Sequence, residues 1–86
     1  MQVRAGVRME NFSNCNISGK NIKRIRIKHG YSSLRKFCEA LENSGFILDA
    51  SNLNKIEKGE RQVTDILINE IQKLTGEEYI EFFKNT

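Results

Sequence analysis

Apolar residues recur along this chain at helical spacing, in short stretches separated by glycine. Leu34, Phe37, Cys38 and Leu41 follow i, i+3, i+4, i+7, which predicts an amphipathic helix from about Ser33 to Asn43, with Ser32 or Ser33 as its cap. Before it, Ile22 and Ile25 share one side of a segment whose other side carries Lys20, Lys23, Arg24 and Lys28. That segment predicts a helix from Ser18 to His29, ended by Gly30, with Ile27 off the apolar stripe. His29 is read as a basic residue suited to the negative helix end, without a partner in sequence.

After the break at Asn43-Ser44-Gly45, the run Phe46, Ile47, Leu48 is expected to put apolar bulk into the core. The next stretch, Asp49 to Arg61, has Leu53 and Ile56 three apart, so one face of a short helix can be buried. Asp49 can cap its start and Gly59 can stop it. Ser51, Asn52, Asn54, Lys55 and Lys58 occupy the rest of its circumference, a mixture of donors, acceptors and positive charge. A fourth helix is expected from Thr64 or Asp65 to Thr75-Gly76, with Val63, Ile66, Leu67, Ile71 and Leu74 facing inward. A last short helix, Glu77 to about Lys84, carries Tyr79, Ile80, Phe82 and Phe83. Packing on the core is the ordinary role for that apolar group, and a homodimer contact is its functional alternative. Residues 1–18 show no periodicity and are expected to form a flexible N-terminal arm, with residues 19–86 as one domain; Met9 offers an alternative start.

The absence of proline and of alternating β-branched residues favours an all-α fold, here a compact set of five helices with a helix-turn-helix at the second and third. Charge sharpens this picture. From Gly19 to Leu48 there are seven Lys/Arg against two Glu, whereas from Val63 to Thr86 there are two Lys against five Asp/Glu. An acidic polymer is attracted to the first half and repelled by the second. The two cysteines, Cys15 and Cys38, have no metal or redox spacing, and His29 is the sole histidine. No metal or cofactor is therefore expected, a reduced cytoplasmic setting is the simpler expectation, and a Cys15–Cys38 disulfide has no support. No paired-carboxylate pocket, glycine-rich phosphate loop or Cys–His constellation points to an enzyme.

Three pieces of the chain carry a family resemblance. Ile22-Lys-Arg-Ile25-Arg26 followed by Gly30, then Phe37-Cys38-Glu-Ala-Leu41, then Leu53-Asn-Lys-Ile56-Glu57-Lys58-Gly59 occur in order over roughly Gly19 to Leu74. Together they resemble the lambda-repressor-like, or Xre, family of helix-turn-helix DNA-binding domains. The resemblance implies a transcriptional regulator, a repressor, that binds a palindromic double-stranded DNA operator as a homodimer, for which Tyr79, Ile80, Phe82 and Phe83 are the candidate contact. It implies base-facing positions at Ala50, Ser51, Asn52, Asn54 and Lys55, phosphate anchors at Ser33, Lys58 and Arg61, and a structural ion pair of Arg26 with Glu57. Two features depart from the family pattern. Leu34 stands where a phosphate-binding glutamine is common, and the crossing from Glu42 to Leu48 is longer than the usual turn. The alternative is a protein-interaction module of the same fold, an antitoxin or adaptor, favoured by the acidic, aromatic C-terminal segment.

Overall fold

The computed structural model describes residues 17–84. Four α-helices run in chain order: α1 (Gly19–Lys28), α2 (Leu34–Asn43), α3 (Ala50–Glu57) and α4 (Asp65–Thr75). A 3-10 helix, Tyr79–Phe83, follows them, in place of the fifth α-helix expected from the sequence. At five residues it is near the longest run that the tighter hydrogen-bond geometry sustains. No strand occurs among the described residues, and none of the helices is long and apolar enough to cross a membrane. The expected N-terminal arm lies almost wholly outside the described residues, but its last member, Ser18, is buried at the start of α1.

Helix starts follow side-chain chemistry. Ser33 Oγ accepts from the Lys36 N–H (3.1 Å), Asp49 Oδ1 from the Asn52 N–H (2.7 Å), and Thr64 Oγ1 from the Leu67 N–H (3.2 Å). Each bond satisfies one of the amides that a helix start leaves without an intrahelical partner. Helix ends follow from glycine. At the end of α3, Gly59 adopts φ +81°, which lets the Glu60 N–H reach back to the Lys55 carbonyl (2.8 Å) and the Gly59 N–H to Ile56 (3.0 Å). The same paired closure ends α1 and α2.

The core is one cluster with a contribution from every element: Ile22 and Ile25 from α1; Phe37, Cys38 and Leu41 from α2; Leu53 and Ile56 from α3; Leu67, Ile68 and Ile71 from α4; and Phe82 from the 3-10 helix. Helix α3 packs on both α1 and α2, α4 packs on α2, and the 3-10 helix packs on α1 and α4. Tyr31, in the α1–α2 connection, rests its ring against Phe37 with centroids 5.2 Å apart. Burial holds the Cys38 thiol in its protonated form, with the carboxylates of Asp49 and Glu57 adding to the effect. Cys38 is a free thiol that fills space; Cys15 lies outside the described residues.

Two expectations from the hydrophobic pattern fail for local geometric reasons, and one about His29 fails as well. Ile47 is 82% exposed, because in the non-helical stretch between α2 and α3 the half-buried side chains of Phe46 and Leu48 flank it and it points away. Ile66 is 64% exposed and Ile68 is buried in its stead. In a run of three consecutive apolar residues a helix places the first and third on opposite flanks, and the inward stripe here is Leu67, Ile68, Ile71. His29 does have a partner: its Nε2 lies 2.6 Å from Glu77 Oε2, across the gap between α1 and the segment after α4.

Candidate functional site

Helix α3 is held from below by a buried bidentate ion pair. Arg26 Nε donates to Glu57 Oε2 (2.8 Å) and Nη2 to Glu57 Oε1 (3.1 Å). Nη1 donates to the carbonyl oxygens of Tyr31 (2.8 Å) and Ser32 (2.9 Å). A guanidinium and a carboxylate taken out of water are tolerable only when their hydrogen-bonding capacity is used, as it is here. One side chain on α1 thereby fixes the end of α3 and the connection leading into α2.

Leu53, Ile56 and Glu57 form the buried side of α3, so the helix rotation is set. Ser51, Lys55 and Lys58 then stand along the centre of the opposite side, all exposed. Among the described residues neither Lys55 nor Lys58 enters an ion pair. Asn54, half-buried, forms one flank. Arg35 and Lys36, on the first turn of α2, add two more exposed cations, as Lys20 and Lys23 do on α1. Such a surface donates hydrogen bonds and attracts anions.

The remaining sequence-expected positions differ from this group. Ala50 is half-buried and packs against the core at the start of α3. Asn52 is engaged at both ends of its amide. Its Nδ2 donates to Asp49 Oδ2 (3.2 Å), and its Oδ1 accepts from Arg61 Nη1. Arg61, expected as a separate phosphate anchor, is thus bound to the first turn of α3. Ser33 spends an acceptor lone pair of its hydroxyl on capping α2, which leaves its O–H as a donor.

Sequence reasoning passed over Asn21, a fully buried polar residue of α1. Its Nδ2 donates to the carbonyls of Phe82 (3.0 Å) and Lys84 (2.9 Å), and its Oδ1 accepts from Arg24 Nη2 (3.2 Å). The carbonyls at the end of the 3-10 helix thereby gain partners that the helix itself cannot supply. The signal was present, since Asn21 lies four residues before Ile25 and therefore on the apolar stripe.

Of the aromatic C-terminal group, Phe82 is fully buried while Tyr79, Ile80 and Phe83 remain exposed. Tyr79 and Phe83 set their rings at a tilt with centroids 4.9 Å apart and, with Ile17, Ser18, Gln62, Val63, Asp65 and Ile68, line a shallow cavity of about 360 Å³. No cluster of three or more His, Cys, Asp or Glu side chains that could hold a metal ion occurs among the described residues. No protein-family model, curated protein or solved structure matches this chain.

Proposed function

We propose that the domain binds double-stranded DNA sequence-specifically, as a lambda-repressor-like helix-turn-helix regulator whose α3 enters the major groove. The observation that carries this reading is the outward side of α3. Ser51, Lys55 and Lys58 are exposed on a helix whose other side is clamped to the core, and among the described residues no acid pairs with either lysine. Lys55 and Asn54 supply donors and an acceptor suited to guanine and adenine edges, and Lys58, Ser33, Arg35 and Lys36 supply phosphate contacts. In this reading α2, the six residues 44–49 and α3 are the helix-turn-helix, and the 3-10 helix takes the place of a fifth α-helix. The protein acts as a repressor by occupying a palindromic operator as a homodimer, with half-sites about one helical turn apart.

Selection of bound sites from random duplex DNA tests this directly. Enrichment of a symmetric site is expected, with affinity that falls steeply as salt rises. Failure to enrich any sequence, or affinity insensitive to salt, overturns the reading. The exposed Tyr79, Ile80 and Phe83 favour a second reading, a protein-interaction module of the same fold. In the first reading the same three side chains face a second copy, and buried Phe82 takes no part. A monomer at all concentrations with no site enrichment would favour the second.

A further inference from the structure

The shallow cavity beside the 3-10 helix brings together groups that suit a cation. Tyr79 and Phe83, both exposed, line it with their rings, and Asp65, exposed on the first turn of α4, adds a carboxylate. Among the described residues Asp65 enters no ion pair, whereas Glu70, Glu77 and Glu81 of the same C-terminal half each meet a cation. Ring faces attract an ammonium group, and a neighbouring carboxylate adds a full negative charge. The walls supplied by Ile17 and Val63 suit a hydrocarbon stem. This lining fits a lysine side chain, apolar along its length and positive at its tip.

We propose that the lysine is Lys20 of a second copy, and that two such contacts, related by a two-fold axis, set the register of the homodimer. The proposal rests on the dimeric reading and deepens it by naming the pair at the contact. Lys20 comes two residues after Ser18, which lines the cavity, and it is exposed with no ion pair among the described residues. It stands one turn before Arg24, whose Nη2 donates to the Glu81 carbonyl (3.0 Å), so Lys20 lies on the flank of α1 that adjoins the 3-10 helix. Within one chain, Lys20 and Asp65 form no ion pair with each other. A two-fold contact uses both at once, because the same patch serves on each copy and every pairing across the axis occurs twice. Apolar contact of Tyr79, Ile80 and Phe83 supplies affinity, and the opposite charges fix how the two patches align.

Sedimentation equilibrium without DNA tests this on the full chain, on Lys20→Glu, on Asp65→Lys and on an equimolar mixture of the two variants. Each variant alone sets like charges together twice and is expected to dimerise about tenfold more weakly than wild type, or worse. The mixture should recover dimerisation to within about twofold, because in the heterodimer both contacts join opposite charges. An intrachain role for either residue cannot give that recovery. Asp65→Asn, which removes a charge and adds none, should weaken the dimer by a smaller factor. Melting curves check that each variant is folded, as expected at exposed positions. Single variants that dimerise like wild type, or a mixture as weak as its components, overturn the proposal and leave the homodimer standing. A wild type that stays monomeric at all concentrations removes both. No DNA is present, so the result is independent of whether any duplex sequence is enriched in site selection.

Discussion

The outward side of α3 and the surface where α1 meets the C-terminal segment are built on opposite electrostatic plans. On the second surface the carboxylates are matched: Glu81 meets Arg24 and Lys84, and Glu77 meets Lys28 and the His29 ring. On the first, Lys55 and Lys58 meet no acid among the described residues, and the nearby Asp49 is committed to capping and to the Asn52 amide. A surface that must stay closed against its own domain gains from satisfied pairs. A surface left with unmatched charge costs the fold a little self-repulsion and is useful when something anionic approaches. The comparison assigns the stabilising chemistry to one side and the candidate recognition chemistry to the other.

Arg26 joins the two, because it stands on α1 and holds α3, so its loss tests the frame both surfaces depend on. Arg26→Ala is expected to destabilise the domain by about 3–5 kcal/mol, since it leaves the Glu57 carboxylate buried and alone. Urea denaturation measures this. A loss below about 1 kcal/mol would mean that the pair contributes no more than an exposed salt bridge and that α3 is held by its apolar side alone.

Asn21 breaks the comparison on its closed side. Asn21→Ala removes three hydrogen bonds at once, and the Phe82 carbonyl it abandons is buried. A loss of about 1–3 kcal/mol is expected, together with faster hydrogen exchange in residues 79–84 than in α3. Equal acceleration in both regions would show that the 3-10 helix is not held separately.

Much of the fold was legible because local signals agreed with tertiary ones. Ser33, Asp49, Thr64 and the helix-ending glycines each have one dominant backbone role, and the apolar stripe of α2 points one way only. The last element was harder. Tyr79, Ile80, Phe82 and Phe83 suit several backbones, and the 3-10 form rests on Asn21, sixty-one residues away from Phe82. The site was legible in outline: the exposure of Ser51, Lys55 and Lys58 follows from Leu53 and Ile56 being buried. The hydrogen bond between Asn52 and Arg61 was not legible, because a chain reversal at Gly59 has a direction that residue spacing does not encode. Ion pairs between distant residues, such as His29 with Glu77, are invisible for the same reason.

Lys58→Ala and Lys84→Ala sharpen the comparison on its open side. Each is expected to change stability by less than about 1 kcal/mol, because Lys58 has no ion-pair partner among the described residues and Lys84 is itself exposed where it meets Glu81. Their effects on DNA should differ. Lys58→Ala should weaken binding to all sequences and lower the salt slope by about one, whereas Lys84→Ala should leave both unchanged. Equal effects on titration against duplex DNA would mean that binding follows net charge and not the α3 surface.

The smallest expected effect belongs to Glu77, whose carboxylate receives the His29 ring nitrogen at 2.6 Å and the Lys28 ammonium at 3.0 Å. The hydrogen bond from His29, followed by that from Lys28, holds this carboxyl below its ordinary value of 4.5. A carboxylate with a depressed folded-state pKa stabilises the fold fully above the ordinary value, and the gain disappears as pH falls through the lower, folded value. Glu77→Gln should therefore lower the melting temperature slightly at neutral pH, and the gap from wild type should close on acidification. Backbone anchors persist in the variant, since the Glu77 N–H donates to Thr75 Oγ1 and its carbonyl accepts from Gln72 Nε2, so the segment stays in place. Melting curves of the two proteins from pH 7 down to about pH 3 decide the matter. A gap that widens in acid would mean that the charge on Glu77 is unfavourable in the folded state, and the closed surface would then owe its cohesion to Asn21 and Phe82 and not to its ion pairs.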